Sequence, residues 1–411
     1  MKILEVGGSG AIFTDKAGPV STVVSCLSQY LARLGHEVTV VDVENRFVKR
    51  QVPPNVRVLE VKAIPRPNLP LCTLRAIKLP LNELMSLKNE LKFVRGFMSS
   101  HLKAEPFDII HVHEVYPAYI LEHFNKNKPP FIVHTSHTPT WADKDNRMLS
   151  IHSRVIKNLT ALKEKRLIKK VDLAIVLGRY FEKQFKEIMP CANIAYIPNG
   201  IDTTLFHPLD KIEARRKLGV EEKEFIVLFV GRISYIKGVD VLLEATEILK
   251  NKILNLKVYI VGSFAGKFGK GVTSDYAKKM INIADKKVCR FLGFVSNKKK
   301  LNLLCAASDI FVAPSRFDTQ PRVFLEAMAC AKAIIGSNVG GIPDMIRDNF
   351  NGLLASPNES ADLANKILGL YRNPGWALKL GERSRMIAKE EFNWDEIAQR
   401  HEEEFLKLIC R

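Results

Sequence analysis

The chain has 411 residues, 46% hydrophobic and 26% charged, a globular composition that argues against disorder and fibrous repeats and is long enough for two cores. Lysine and arginine (62) outnumber aspartate and glutamate (44), and the resulting charge of +18 is spread along both halves rather than gathered in a tail. That balance favours polyanionic partners such as nucleotides or an anionic membrane surface, while seven scattered cysteines without a C-x-x-C pair argue against a disulfide framework and for a reducing, cytoplasmic setting.

Met1 and Lys2 lead directly into a strand pattern, Lys2 to Val6, whose apolar run is too short for a secretory leader. The following Gly7-Gly8-Ser9-Gly10 lacks the third glycine of a dinucleotide fingerprint and reads as loop. A helix is predicted from about Pro19 to Leu34, then, after the turn Leu34-Gly35-His36, a strand at Glu37 to Val41. Further strands are predicted at Val56 to Val61, Asp108 to Val112, Phe131 to Thr135, Leu173 to Val176 and Ile194 to Ile197. Residues 62–104 are the least regular, with prolines followed by a stretch that mixes Lys88, Lys92, Arg95 and Lys103 with Leu84, Leu87, Leu91, Phe93 and Phe97. The rhythm restarts with a strand at Phe225 to Val230, a helix from Val239 to Lys250, and strands at Lys257 to Val261, Val288 to Leu292, Ile310 to Ala313 and Ala333 to Ile335. A charged amphipathic helix, Trp394 to Ile409, follows the break at Pro374-Gly375. Strands alternating with helices predict two successive doubly wound α/β domains, with a boundary near Pro198-Asn199-Gly200-Ile201-Asp202. No run of about 18 uncharged apolar residues occurs, so a soluble or peripheral protein is expected.

Three runs carry chemistry. In Gly231-Arg232-Ile233-Ser234-Tyr235-Ile236-Lys237-Gly238, two cations occupy the loop after a strand, where open α/β sheets bind ligands; a planar fork and a point charge suit a diphosphate, and solvated loop cations are the plain alternative. In Ala313 to Ala329, Asp318 lies in a polar loop and Glu326 inside a helix that begins near Pro321, a residue suited to the first helical position. Both carboxylates could face one crevice, with the helix N-terminus offering N–H groups to an anion; surface decoration is the alternative. His111-Val112-His113-Glu114 and His134-Thr135-Ser136-His137 close adjacent strands, but successive residues point to opposite faces and no Cys or Asp cluster joins them, so no metal site is expected.

Taken in order, Gly231-Arg232-x4-Lys237-Gly238, Asp318-x7-Glu326, Ile197-Pro198-Asn199-Gly200-Ile201-Asp202, and Gly340-Gly341-Ile342-Pro343-Asp344 with Asn351-Gly352-Leu353-Leu354 resemble the retaining glycosyltransferases of family 4. The resemblance is collinear from Ala17 to the last helix, and looser between 45 and 105. It implies the GT-B fold, two facing Rossmann-like domains: residues 1–202 binding the acceptor, joined by a C-terminal helix at 394–411 that can cross back, and residues 203–393 binding the nucleotide-sugar. By this resemblance Arg232 and Lys237 hold the donor diphosphate, Glu326 bonds the ribose and Asp318, standing where the family has Glu, contacts hydroxyls of the transferred sugar. Gly231, Thr319, Gln320, Arg322 and Val323 complete the donor side, and the family's Gly-Phe-Gly is replaced here by Thr319-Gln320-Pro321. Pro321 has no N–H to offer a phosphate, and Thr319, Gln320 or Arg322 are candidates to replace that contact. Where the family has a glycine pair near the phosphate, Gly18 keeps one and Ala17 replaces the other; His113 lies near the reacting sugar, His137 is an acceptor candidate, and His111 is expected to be packed.

The activity so implied is hexosyl transfer from a nucleoside-diphosphate sugar to a glycan or lipid-linked hydroxyl with retention, without cofactor or metal; the charge and the segment 62–104 suggest peripheral docking at the inner face of the membrane, and a buried face of an ordinary helix at Leu84, Leu87, Leu91 and Phe97 is the alternative. Another GT-B activity such as a nucleotide-sugar epimerase, or a non-catalytic nucleotide-sugar-binding protein, are the alternatives. The sequence has neither an aromatic-basic RNA-binding pattern nor helix-turn-helix spacing, so nucleic acid is not expected as a partner.

Overall fold

The computed structural model describes residues 1–7, 12–13, 18–43, 51–61, 106–113, 130–137, 161–162, 164–166, 168–264 and 275–410. The basic and apolar stretch 62–104, the glycine loop 8–10, Ala17 and Glu114 lie outside them. The chain divides into two compact units, Met1–Ile197 with Ile397–Arg411, and Pro198–Glu396.

In the first unit, β1 (Lys2–Val6), β2 (Glu37–Val43), β3 (Val56–Val61), β4 (Ile109–Val112), β5 (Phe131–Ser136), β6 (Leu173–Val176) and β7 (Ile194–Tyr196) form one sheet in the order β3-β2-β1-β4-β5-β6-β7. All pairings are parallel, with Leu4 opposite Thr39 on one side and Ile110 on the other. This is the doubly wound order, in which the chain returns to the sheet's middle between β3 and β4. Helix α1 (Pro19–Arg33) starts on a proline that brings its fixed φ and loses no needed N–H. Its buried Val23, Val24, Leu27 and Leu31 recur at helical spacing. Helix α2 (Arg179–Ile188) buries only Phe181 and Phe185 and leaves its charges outside.

The second unit holds β8 (Phe225–Val230), β9 (Leu256–Val261), β10 (Cys289–Gly293), β11 (Ile310–Ala313), β12 (Ala333–Ser337) and β13 (Gly352–Ala355), all parallel in the order β10-β9-β8-β11-β12-β13. Its helices are α3 (Lys211–Leu218), α4 (Val239–Leu249), α5 (Asp275–Ile283), α6 (Lys298–Ala307), α7 (Arg322–Ala329), α8 (Ser360–Arg372) and α9 (Pro374–Glu390). One continuous apolar core runs through the unit, with Phe229, Phe311 and Phe324 among its fully buried rings. Pro321 takes the cap position of α7 with extended ψ of 110°, one residue ahead of the first helical position that the sequence suggested.

The last helix, α10 (Trp394–Ile409), passes from the second unit to the first, as expected of GT-B. From residue 397 it buries Ile397, Ala398, Phe405 and Leu408, while Arg400 donates to Tyr196 O at 2.7 Å and Glu402 lies 2.8 Å from His36 Nε2. None of the helices among the described residues is long and apolar enough to cross a membrane.

Candidate active site

At the carboxyl ends of β8 and β11, two loops are held together by backbone contact. Lys237 ends a single 3-10 turn, Tyr235–Lys237, and Gly238 follows with φ +66°, a left-handed conformation that side chains rarely adopt. A Cβ at Gly238 would come 1.9 Å from Pro314 O, so glycine is required twice over. Arg316 fastens the same two loops. Its N–H donates to Ile236 O at 2.8 Å, its guanidinium bonds both Asp240 carboxylate oxygens at 2.7 Å and Tyr235 O at 2.6 Å, and its plane lies 3.8 Å from the Tyr235 ring centroid. Burial opposes ionisation of Asp240, but hydrogen bonds from Arg316 and Tyr276 hold its carboxyl below the ordinary value.

The predicted charges meet in this frame. Lys237 Nζ donates to Asp318 Oδ2 in an ion pair, with both side chains mostly buried. Glu326, on α7, is 4% exposed and accepts from Lys298 Nζ at 3.1 Å. Arg232 follows Gly231 at the end of β8 and is exposed. Thr319 is buried, with its N–H on Asp318 Oδ1 at 3.1 Å, and Arg322 and Val323 are half-buried on the first turn of α7. The backbone of Asp318 and Thr319 rests on a pair of glycines: Gly341 N–H donates to Asp318 O at 3.1 Å, and a Cβ at Gly340 or Gly341 would meet Asp318 O at 2.1 Å or Thr319 O at 1.8 Å. Gln320 points elsewhere: its amide accepts from Asn199 N–H at 2.5 Å and donates to Asn199 O at 3.4 Å. The sequence reading missed Lys298 and Arg316, which belong to no spacing pattern and become legible only once the strand ends are side by side.

In the first unit, Gly18 caps α1, and among the described residues nothing lies within 4 Å of a Cβ placed there. The histidines form a chain around Glu5, the one charged residue among Ile3, Leu4 and Val6 on central β1. Glu5 Oε1 lies 3.2 Å from His111 Nδ1, and Glu5 Oε2 lies 2.7 Å from His113 Nε2. His111 Nε2 meets Thr135 Oγ1 at 2.7 Å, and His113 Nδ1 meets His137 Nε2 at 3.1 Å. His134 Nδ1 bonds Val112 O at 3.1 Å, and His401 from α10 lies with its ring centroid 5.6 Å from that of His111.

Burial opposes ionisation of Glu5, but the charge and hydrogen bond of His111, then those of His113, pull its carboxyl well below the usual range. Burial lowers His113 to about 4, His134 to about 3 and His401 to about 3, with the charge of His111 adding to the effect on each. Glu5, His111 and His113 have the donor types of a metal site. Their contacts are those of hydrogen bonds, since two ligands of one tetrahedral zinc stand about 3.3 Å apart and Glu5 Oε2 is 2.7 Å from His113 Nε2.

The family description Glycosyltransferase Family 4 matches residues 20–205, and Glycosyl transferases group 1 matches residues 210–390. Lipopolysaccharide 1,2-N-acetylglucosaminetransferase of Salmonella typhimurium is 31% identical over 246 residues, 57% of this chain and 62% of that protein. Among solved structures, sucrose-phosphate synthase from Thermosynechococcus elongatus superposes with a TM-score of 0.79 at 22% identity, covering 100% of this chain and 99% of that one. Anabaena HepE in complex with UDP gives 0.70 at 21% identity over 99% and 100%. With one family description on each unit and the GT-B fold throughout, the chain belongs to the family 4, group 1 glycosyltransferases.

Proposed function

We propose that the protein transfers a hexosyl unit from a nucleoside-diphosphate sugar to a hydroxyl of a glycan or lipid-linked acceptor, retaining the anomeric configuration and using no metal. The observation that carries this reading is the Lys237–Asp318 ion pair, a cation and an acid from different loops brought together at the ends of β8 and β11. A diphosphate takes Lys237 and the exposed fork of Arg232, leaving Asp318 to accept from sugar hydroxyls. Glu326 accepts from the ribose in place of Lys298. The HepE complex with UDP supports a nucleoside-diphosphate donor by fold likeness.

In the proposed step the anomeric carbon–phosphate oxygen bond breaks, the acceptor oxygen bonds the same face of that carbon, and the acceptor proton passes to the departing phosphate oxygen. Arg232, Lys237 and the backbone amides opening α7 stabilise the charge on the leaving group, an electrostatic task. Gln320, with its amide bonded to Asn199, supports the loop from behind, and Thr319 and Arg322 stand in for the phosphate contact that Pro321 cannot give. Gly18 admits a phosphate to the start of α1, and His113 and His137 serve the sugar and acceptor side. The charge of +18 favours docking of the first unit to an anionic membrane surface at its cytoplasmic face.

The test is a screen of UDP-, GDP- and ADP-hexoses by thermal shift, followed by NMR of the product with chelator present. The expected result is one base class that raises the melting temperature and an α-linked product from an α-donor. A donor that binds without turnover makes the protein a nucleotide-sugar sensor; rearrangement without acceptor makes it an epimerase.

A further inference from the structure

Gln320 and Asn199 join the loop that carries Asp318 to the segment where the chain enters the second unit, which begins at Pro198 and ends at Glu396. Both residues are 5% exposed. A primary amide has one acceptor and one donor side, and Gln320 spends both on one residue: Oε1 accepts from Asn199 N–H at 2.5 Å and Nε2 donates to Asn199 O at 3.4 Å. The next residue, Gly200, packs on the Trp394 indole, where a Cβ would come 2.4 Å from the ring. Ile201 N–H donates to Phe392 O at 2.7 Å, and Ile201 pairs with Asn393 in an isolated parallel bridge. The stretches by which the chain enters and leaves the unit are thus bound to each other, and Gln320 binds the first of them to the donor loop. Further along, Arg385 donates to Thr203 O, Phe206 O and Ala329 O, so the entering segment is tied to the far end of α7 as well.

A line of contacts therefore runs from Lys237 through Asp318 and Gln320 to Asn199, Gly200 and Trp394, all within the second unit. In a close-packed interior a displacement at one end is passed on rather than absorbed by voids. We propose that Gln320 is a positioning residue that couples donor occupancy to the entering segment: when a nucleoside-diphosphate sugar draws Lys237 from Asp318, the loop shifts, and Gln320 carries the shift to Asn199 and to the seat of Trp394. The coupling rests on the glycosyltransferase reading above, and the Gln320–Asn199 clamp does not. Coupling free energies are reciprocal, so a change at Gly200 must in turn alter donor affinity.

Trp141→Phe with Trp376→Phe leaves Trp394 as the sole tryptophan of the chain and gives a parent protein whose emission reads that seat. Gln320→Met keeps the length of the side chain and removes both hydrogen bonds. With UDP-glucose, GDP-mannose and ADP-glucose each added to saturation, as judged by calorimetry, the expected result is that a donor that binds changes Trp394 emission in the parent and that the change is lost in Gln320→Met with the same donor bound. An equal change in both proteins, or none in the parent at saturation, overturns the coupling. Gly200→Ala is expected to weaken donor binding about tenfold when Gln320 is present and to have little further effect beside Gln320→Met; equal losses in both backgrounds reject the relay. If Gln320→Met does not fold, Gly200→Ala alone decides, because unchanged donor affinity overturns the proposal. In the absence of any donor, amide exchange followed by mass spectrometry should be about tenfold faster at Asn199 in Gln320→Met, the effect of one lost hydrogen bond, and equal rates reject the clamp. If no nucleotide-sugar binds, the glycosyltransferase reading fails and the coupling with it, while the exchange rates still decide whether Gln320 holds Asn199.

Discussion

Lys237 and Asp318, eighty-one positions apart, form an ion pair. The cation proposed to neutralise a diphosphate is stored against the carboxylate proposed to read the sugar, so each is held in place by the charge that donor binding separates. Lys237→Ala is expected to reduce turnover by about two to three orders of magnitude, the usual loss when one charge-stabilising contact is removed. Asp318→Asn frees Lys237, so affinity for free nucleoside diphosphate stays level or rises a fewfold while use of the full donor falls. Calorimetric titration of both ligands against both variants checks this, and parallel losses of nucleoside diphosphate affinity would show the roles misassigned.

The Glu326–Lys298 pair makes a separate prediction about the ribose. Glu326→Gln is expected to weaken nucleoside diphosphate binding about tenfold, the effect of losing one charge-assisted hydrogen bond. In that variant, a ribose lacking the bonded hydroxyl should bind no worse than the parent nucleotide. A further loss on removing the hydroxyl would mean that another group holds it.

Arg316 bonds Tyr235, Asp240 and Asn358, and so ties the loop after β8 to the start of α4 and to the segment before α8. Arg316→Lys retains the charge but not the fork, and is expected to cost about 2 kcal/mol. Because the same contact sets the approach of the Lys237 and Asp318 loops, donor KM should rise with it. Urea denaturation and initial-rate kinetics on one preparation give both quantities.

Acid should loosen the first unit through its buried histidines. His113, His134 and His401 have folded-state pKa values of about 4, 3 and 3 against an ordinary 6.5. Between pH 6.5 and about 3 the unfolded chain binds protons that the buried rings refuse, so stability is complete above that window and falls as pH drops through it. Glu5, whose folded value is depressed, adds a loss in the same direction once pH passes below the ordinary carboxyl value. The combined loss is expected to reach several kcal/mol, because each tenfold change in one group's proton affinity on folding is worth about 1.4 kcal/mol. His401→Phe, which keeps a ring beside His111, should flatten the dependence of the urea midpoint on pH.

The strand ends are legible as ligand-bearing wherever turn formers separate strand from loop, as at Gly231 and Pro314, because backbone geometry dictates those types locally. The roles of Gly340 and Gly341 are readable only as a family motif. Their cause, the carbonyls of Asp318 and Thr319 lying against them, is a contact between segments far apart in sequence. Glu5 escapes sequence reasoning for a related reason. Periodicity treats a single acid in an apolar strand as noise, and its meaning depends on register, which sets it opposite His111. Gln320 reads as a donor ligand because it lies in the segment that replaces the family's Gly-Phe-Gly, and its bond to Asn199 is one that no local pattern encodes.

The last helix also orders events during synthesis. Residues 397–409 supply Ile397, Ala398, Phe405 and Leu408 to the interior of the first unit and lay His401 beside His111, yet they are translated after the whole of the second unit. At about 5–20 residues per second, the first sheet waits some tens of seconds on the ribosome for its closing segment. During that interval the nascent first unit exposes the apolar seat of the helix and the histidine cluster, and is open to chaperones and proteases, whereas the second unit already holds its own core.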